Sequence, residues 1–177
     1  MKKSSVTQKD IIDLIVEDHK PLKKLIKVMK DSDASLPERR AAFNEFFPLL
    51  TAHARSEEIV LYKAMKEQVS LREEAYEGDV EHALATQVMD DVMDATDVDV
   101  WGAKVKVLAE LVEHHIKEEE NDHLPDFRKV SSKEHRISLG QKYSAALQEV
   151  NSDLVSDIDD AELKSDLNFK KYNQLHH

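Results

Sequence analysis

The chain of 177 residues contains no cysteine, only three glycines and only four prolines. The lack of cysteine excludes disulfides, thiolate zinc sites, iron–sulfur ligation and cysteine nucleophiles. So few glycines and prolines cannot supply the frequent turns that a β-sandwich or a β-barrel needs. No run of residues approaches the roughly 18 apolar positions of a membrane-spanning helix. These absences favour an all-α fold, which is the predicted fold class.

Basic residues are also in the minority. The 25 lysines and arginines are set against 36 aspartates and glutamates, which gives a formal net charge of −11. This charge opposes nonspecific attraction to nucleic acid and to anionic membranes, so neither is expected as a partner. The first residues, Met1 to Ser5, resemble the start of a signal peptide, but Asp13 interrupts the apolar pair Ile11-Ile12 that follows. A cytoplasmic location is therefore expected.

Hydrophobic residues recur at helical spacing in four long segments, which short polar breaks separate. The predicted helices run from about Gln8 to Lys30, from Ser35 to about Val69, from Ser70 to about Ala95, and from Thr96 to about Asp122. Ser35 and Ser70 stand at positions typical of N-terminal caps, and Ser70 with Glu73 fits a capping box. Pro125 is predicted to stop the fourth helix, because proline lacks the backbone N–H that a helix interior needs.

The four long helices are predicted to form an up-down-up-down bundle over about residues 8–130. A fifth helix, from about Ser132 to Leu147 or Val150, is predicted to pack outside this bundle, and an acidic, weakly patterned tail follows Asn151. The expected organisation is a bundle domain over residues 1–130 and a helical extension with its tail over residues 131–177.

Two prolines lie inside predicted helices, Pro21 in the first and Pro48 in the second. The missing N–H and the ring clash of proline cost about 3 kcal/mol or more in a helix interior. A kink or a late helix start accounts for them. Because each lies near a histidine, His19 or His53, the alternative is that each helps to aim that side chain.

Each of the four long helices places one histidine on its apolar side, at roughly 100° per residue. These histidines are His19, His53, His82 and His115. A lone histidine on an apolar face is usually a core residue with a local hydrogen bond, but here four helices repeat the pattern. Two helices add an inward glutamate at i+4, Glu57 and Glu119. No lysine or arginine lies on the inward face of the second or the fourth helix, so a metal dication is the predicted partner of the buried carboxylates.

The number of candidate ligands predicts two metal ions. Four imidazoles and two carboxylates are too many for one zinc, which closes at four ligands. Two ions bridged by both carboxylates would each receive two nitrogens and two oxygens, which leaves room for a bridging oxygen and an open position. Imidazole with carboxylate suits iron or manganese, and zinc is able to bind in their place.

The order His, His-x-x-x-Glu, His, His-x-x-x-Glu, with one unit on each helix, resembles the hemerythrin-like (HHE cation-binding) family. The resemblance covers about residues 8–130. It rests on the strings Glu17-Asp18-His19, His53 through Leu61-Tyr62, Glu81-His82, and His115 through Leu124-Pro125. In the family a proline closes the helix after the last glutamate, and this offset favours His115 over His114 as the ligand.

The resemblance implies two iron ions in an oxygen-bridged (Fe–O–Fe type) centre, with manganese or zinc as substitutes. Carried over residue by residue, the terminal iron ligands would be His19, His53, His82 and His115, and the bridging ligands Glu57 and Glu119. Oxygen-carrying members have a further histidine one turn after the third ligand, where this chain has Thr86. Simple oxygen carriage is therefore disfavoured, and the ligand set is closer to that of iron- and oxygen-sensing members.

The favoured function is that of a non-haem di-iron protein that binds dioxygen, peroxide or nitric oxide, or that senses iron or redox state. An enzyme on the same site, with peroxide-consuming or iron-mobilising activity, is the alternative, because fold alone does not decide between them. A metal-free helical interaction module is the third interpretation. A ferritin-like oxidase is disfavoured because it needs two Glu-x-x-His units. This chain has one, from Glu120 to His123, and Glu120 is predicted to face solvent.

A few residues carry lesser signals. Tyr62 and Trp101 are interpreted as core or boundary aromatics, with a place beside a ligand channel as the alternative for Tyr62. His123 lies one turn beyond Glu119 and is interpreted as a boundary histidine, with a second-layer group or a spare ligand as alternatives. The terminal pair His176-His177 carries no weight, and no protein partner is indicated.

Overall fold

The computed structural model describes the backbone of residues 9–175 and the side chains of residues 9–154. Within these residues every regular element is helical and no strand occurs, so the predicted all-α class is confirmed. The α-helices are α1 (Ile11–Lys30), α2 (Leu36–Glu57), α3 (Lys63–Lys66), α4 (Arg72–Met93), α5 (Val98–Glu118), α6 (Leu124–Val130) and α7 (Lys133–Leu175). Gln8, where the first helix is predicted to begin, and His176-His177 lie outside the described residues. Among residues 9–175 no helix combines the length and the apolar character needed to cross a lipid bilayer.

Side-chain caps start three of the long helices. Asp10 and Asp97 each accept hydrogen bonds from first-turn N–H groups of α1 and α5. Ser35 is the N-cap of α2, as predicted, and also forms a capping box with Glu38. Such caps are typically worth about 1 kcal/mol each. The capping box predicted at Ser70 is wrong, because α4 follows a short 3₁₀ turn and its N-cap is Leu71, which makes no side-chain hydrogen bond. Leu71 is buried, so packing fixes this helix start.

The two helices that carry the inward glutamates do not end at those residues. α2 passes into a π-helical segment, Glu58–Tyr62 (the first π segment), and then into α3; α5 passes into Glu119–His123 (the second π segment) and then into α6. A π turn closes i→i+5 hydrogen bonds, so it holds more residues than an α turn and rotates the side chains that follow. The stop predicted at Pro125 is wrong. The helical path continues to Val130, because proline is tolerated in the first turn of α6.

Pro21 and Pro48 lie within α1 and α2, and neither ends its helix. These helices begin at Ile11 and Leu36, well before the prolines, so a late helix start is excluded. The kink and the aiming role both stay predictions.

The buried apolar side chains form two large clusters and a small third one, and the predicted metal ligands fall at the boundary between the two large clusters. The first cluster includes Phe46 and Leu108, and the second includes Leu61 and Phe127. α1 packs against α2 and α5, and α4 packs against α5, so the four long helices share this core. Each long helix therefore has apolar packing beyond the polar layer in both directions.

α7 packs more deeply than the outside position predicted for it. It contacts α1, α2 and the first π segment, and Tyr143 is only 1% exposed within the second apolar cluster. Gly140 permits this approach, because a side chain there would collide with the backbone just before α1. The end predicted near Leu147 or Val150 is wrong: the helix continues to Leu175, and no glycine or proline follows Gly140 to stop it. The division at residue 130 stays a prediction.

Candidate metal centre

The six predicted ligands are all buried and lie in one polar layer. Their exposed fractions are 0% for His19, 2% for His53, 0% for Glu57, 4% for His82, 3% for His115 and 0% for Glu119. They form two groups that share Glu57. The first group is His19, His53, Glu57 and Glu119, and the second is Glu57, His82 and His115, with the ligand atoms of each group within 4.8 Å of one another. The structure thus provides two adjacent positions for a cation, while the role of each residue as a ligand stays a prediction.

The inner atoms of the first group approach one another as facing nitrogens and oxygens. His19 Nε2 lies 3.2 Å from Glu119 Oε2, and His53 Nε2 lies 3.3 Å from Glu57 Oε2. In the second group, His82 Nε2 lies 3.5 Å from Glu57 Oε2 and 3.1 Å from His115 Nε2. Every one of these nitrogens therefore points toward the interior of the layer.

Several of these inner atoms lack the hydrogen bonds that buried polar atoms normally have. They are His19 Nε2, His53 Nε2, both carboxylate oxygens of Glu57, and Glu119 Oε2. Leaving such an atom unsatisfied costs about 1–3 kcal/mol, and more for a charged group. A dication with imidazole and carboxylate ligands satisfies all of them at once, so the donor set fits a metal.

The outer nitrogen of each histidine has a partner of its own. The pairs are His19 Nδ1 with Glu120 (2.9 Å), His53 Nδ1 with Tyr143 (3.1 Å), His82 Nδ1 with Glu58 (3.1 Å), and His115 Nδ1 with Glu81 (2.6 Å). Each partner fixes the ring orientation by accepting the Nδ1–H, which leaves the Nε2 lone pair directed inward. Metal-ligating histidines generally have such partners.

Three of these partners are glutamates whose role the sequence analysis missed. Glu120 was predicted to face solvent, but its side chain is 25% exposed and it also accepts from Lys23 at 2.6 Å. That prediction is wrong because the second π segment begins at Glu119 and ends the α periodicity there. Glu81 stands in the string Glu81-His82, yet it binds His115 on the facing helix. In the sequence, the only indication of this role was that each of these glutamates stands next to a predicted ligand, as Glu58 stands next to Glu57.

Tyr143 connects α7 to the polar layer. Its hydroxyl donates to Asp18 Oδ2 at 2.8 Å and is therefore free to accept from His53 Nδ1. Burial raises the pKa of Tyr143, and the neighbouring Glu57 carboxylate raises it further, so the phenol stays neutral. Sequence reasoning missed this residue, because it lies far along the chain on a helix that was predicted to pack outside the bundle.

We expect Tyr143→Phe to lower the metal affinity of the centre by about 10- to 100-fold without unfolding the chain, because it leaves His53 Nδ1 without its partner. Competition against a chelator of known affinity measures this change. Ser144→Ala is the control, since it removes a hydroxyl from the next residue of the same helix. An affinity equal to that of the wild type would show that Tyr143 does not orient His53.

Tyr62, on the first π segment, extends its hydroxyl into the layer. The oxygen lies 3.4 Å from each of three atoms: His82 Nε2, His115 Nε2 and Glu119 Oε1. Gly78 makes room for the ring, because a Cβ there would lie 2.5 Å from Tyr62 Cζ. Burial raises the pKa of Tyr62 well above its usual value, and Glu119 adds to this, so the hydroxyl remains a donor. Tyr62 is buried, as its interpretation as a core aromatic requires. That interpretation did not include the contacts that its hydroxyl makes with the layer.

The pKa values of the two glutamates of the layer are shifted in opposite directions. Burial raises the pKa of Glu57 well above its usual value, and the adjacent Glu119 carboxylate raises it further. Burial also raises the pKa of Glu119, but the adjacent His19 imidazole and the neighbouring histidines outweigh burial and lower it to about 2. Burial lowers the pKa of His53 well below its usual value. Without a cation, Glu57 is therefore the carboxylate of the pair that takes up a proton more readily, and Glu119 the one that stays ionised more readily.

A cavity of about 410 Å³ opens beside the second group. His82 and His115 line it together with the outer partners Glu58 and Glu81, and Thr86 forms part of its wall. The rest of the lining is mainly apolar and includes Leu50, Ala85, Met89, Leu111, Val112 and Leu154. One water molecule in the liquid occupies about 30 Å³, so this space is far larger than a diatomic ligand.

The remaining histidines of α5 and the second π segment lie outside the layer. His114 has a side chain that is 69% exposed and lies 3.6 Å from Glu118. His123 is only 2% exposed, so the boundary interpretation is wrong. The π segment turns His123 toward Glu77 and Glu118 on the α4–α5 face.

A helical core that buries four histidines and two glutamates in one layer defines a class of protein, the helical cation-binding domains. The chain matches the family model described as the hemerythrin HHE cation binding domain over residues 10–127 and belongs to that family. The resemblance drawn from the sequence is therefore confirmed. Comparison with the curated proteins finds no match, and comparison with the solved structures finds none either.

Proposed function

We propose that the protein is a non-haem di-iron protein that binds a small ligand, such as dioxygen, peroxide or nitric oxide, or that senses iron or redox state through this binding. The observation that carries the proposal is the pair of buried ligand groups that share Glu57, together with the unsatisfied nitrogens and oxygens of the first group. Iron is proposed because imidazole with carboxylate suits iron or manganese, with zinc as a substitute. The bundle proposed to hold the pair has up-down-up-down order, which the packing of α1 on α2 and of α4 on α5 supports.

The two ligand groups would each hold one cation. His19, His53 and Glu119 would hold the first, His82 and His115 the second, and Glu57 belongs to both groups. The second group has fewer ligands and adjoins the cavity. Iron at these positions supplies a redox-active centre able to take up a small ligand. We propose that the ligand enters through the cavity and binds on the side of His82 and His115.

The residues around the second group also shape what binds there. The Tyr62 hydroxyl is within hydrogen-bonding range of that position and is a neutral donor, so it is able to hold an anionic or polar small ligand. The apolar lining of the cavity disfavours bulk water, which strengthens each polar contact at the layer. The proposed partner is therefore a small polar ligand, and neither nucleic acid nor a membrane is part of the proposal. The cytoplasmic location stays a prediction.

An enzyme on the same site is the second candidate, and the size of the cavity favours it. A volume of about 410 Å³ exceeds the need of a diatomic ligand and leaves room for a larger peroxide. Sustained consumption of peroxide by the iron-loaded protein would support this candidate. Stoichiometric binding without turnover would support the binding or sensing protein.

The decisive experiment is metal analysis of the purified protein together with its near-ultraviolet absorption spectrum. We expect two iron ions per chain and an oxo-bridged spectrum that changes when azide or dioxygen is added. Metal content of one ion or none per chain, after reconstitution with ferrous iron, would contradict the proposal.

Tyr62→Phe is expected to keep two metal ions per chain and to weaken azide binding by up to about tenfold, because one hydrogen bond contributes about 0.5–1.5 kcal/mol. Azide titration followed by absorbance measures this change. Tyr76→Phe is the matched control, since Tyr76 is 58% exposed. Azide affinity equal to that of the control would show that the Tyr62 hydroxyl does not contact the ligand.

A further inference from the structure

A second cluster of metal-ligating side chains lies on the face between α4 and the second π segment. Glu77, Glu118 and His123 each offer one ligand atom, and these atoms lie within 4.8 Å of one another. None of the three belongs to the buried layer of six. Among the described residues no lysine or arginine forms an ion pair with Glu77 or Glu118, and His114 lies 3.6 Å from Glu118.

His123 is the observation that distinguishes this cluster from an ordinary acidic surface. The side chain is only 2% exposed, and its Nδ1 is buried with no hydrogen-bond partner. Histidine is a common metal ligand, and an imidazole that is buried without a partner beside two carboxylates has the same deficit that marks the main centre. The second π segment places it there, since it ends at His123.

A neighbouring group extends the cluster toward the main centre. Glu81, His114 and Glu118 also bring their ligand atoms within 4.8 Å of one another, and Glu118 is common to both groups. Glu81 in turn accepts a hydrogen bond from His115 Nδ1 at 2.6 Å. Side chains able to bind a cation are therefore adjacent to one another from the exposed Glu77 and His114, through Glu118 and Glu81, to His115 in the buried layer.

We propose that Glu77, Glu118 and His123 form a third cation site, which binds a divalent transition-metal ion and passes it toward the buried layer by way of Glu81 and His114. Imidazole with two carboxylates suits iron, manganese or zinc, whereas calcium and magnesium prefer oxygen ligands alone. Binding at this site is independent of the proposed function. Delivery of the ion to the buried layer rests on the proposed function. The net charge of −11 favours the approach of a cation.

Titration of the iron-loaded protein with Mn²⁺, followed by the electron paramagnetic resonance signal of free Mn²⁺, tests the site. We expect one further Mn²⁺ per chain in the wild type and its loss in Glu77→Gln and His123→Gln, with the iron content unchanged in both. Glu73→Gln is the matched control, because Glu73 is another exposed glutamate of α4. Glu77 is itself exposed, so its variant reports on binding even if His123→Gln fails to fold. Absence of a further Mn²⁺ in the wild type, or an unchanged titration in Glu77→Gln, would overturn the proposal.

Titration of the Glu57→Ala variant with Mn²⁺, without iron loading, separates this site from the proposed function. Glu57 is shared by the two groups of the buried layer and takes no part in the third site. We expect Glu57→Ala to retain the Mn²⁺ that Glu77 and His123 bind, and a site that disappears with Glu57 would be part of the main centre instead.

Delivery has a kinetic test on metal-free protein. Clefts of one charge sign raise association rates by about 10- to 1,000-fold. We therefore expect Glu77→Gln, which removes one charge and one ligand, to slow the uptake of ferrous iron by up to about tenfold while the final iron content stays the same. The loss of free ferrous iron, followed without oxygen in quenched-flow samples with a colorimetric ferrous chelator, measures the rate. Uptake as fast as in Glu73→Gln would restrict the third site to binding and overturn its role in delivery.

Discussion

Glu57→Ala and Glu119→Ala are expected to lose the two-metal site, whereas Glu118→Ala keeps two ions per chain. Glu57 belongs to both ligand groups, so its removal takes an oxygen from each position at once. Glu119 lies 3.2 Å from His19 and is fully buried, so its removal takes the second carboxylate away from the first group. The neighbouring Glu118 is part of the cluster on the α4–α5 face, outside this layer.

Elemental analysis after reconstitution and gel filtration measures the stoichiometry of these variants. Glu58→Ala gives an intermediate result, because Glu58 is the outer partner of His82: we expect two ions to bind with affinity lowered by about 10- to 100-fold. Loss of metal in Glu118→Ala with retention in Glu119→Ala would move the ligand assignment from His115 to His114. Two ions bound by Glu57→Ala would show that the buried layer is not the metal centre.

Chelation is expected to lower the midpoint of thermal unfolding by about 5–10 °C while most of the helical structure survives below that midpoint. A ligand that binds only the folded state adds about 2.7 kcal/mol at a free concentration of one hundred times its Kd. For a domain of this size each kcal/mol corresponds to about 2–4 °C. The metal-free layer keeps its unsatisfied nitrogens and oxygens, so it cannot recover this free energy from its own contacts.

Circular dichroism melts of verified metal-free and metal-loaded samples provide the measurement. The helices are expected to persist without metal because the two apolar clusters lie on either side of the layer and do not depend on it. Glu57→Ala, which lacks the site, should melt at the same temperature with and without chelator. Equal midpoints for the two wild-type samples would contradict a buried metal cluster, and complete unfolding on chelation would show that the apolar clusters are insufficient alone.

The sequence was sufficient for the fold class and for the set of buried histidines and glutamates, because both follow from α periodicity within single helices. The apolar stripe of α1 continues on both sides of His19, and the inward position of Glu57 follows from its spacing to His53. Each of these inferences needs only residues less than two turns apart, where the 3.6-residue repeat holds.

The remaining parts of the site depend on contacts that periodicity does not contain. Tyr143 reaches His53 from a helix far along the chain, and Glu81 reaches across from α4 to His115. Glu120 and His123 were assigned to the wrong environments because they lie on the second π segment, where the α repeat no longer applies. A short string such as Glu57-Glu58 indicates that a glutamate next to a ligand binds the outer nitrogen of a histidine. It does not indicate which histidine that is.

The two π segments have a consequence for the way this chain is aligned with its relatives. Relative to a continuous α-helix, each π turn amounts to one inserted residue within an otherwise regular helix. A relative that lacks either turn would need a gap inside residues 58–62 or 119–123, although alignment methods usually place gaps in loops. An alignment that moves the gap to the loop after α3 or after α6 would shift every position in between by one residue. Tyr62 and His123 stand at the ends of these segments, so they are the residues whose equivalents such a shift would misassign.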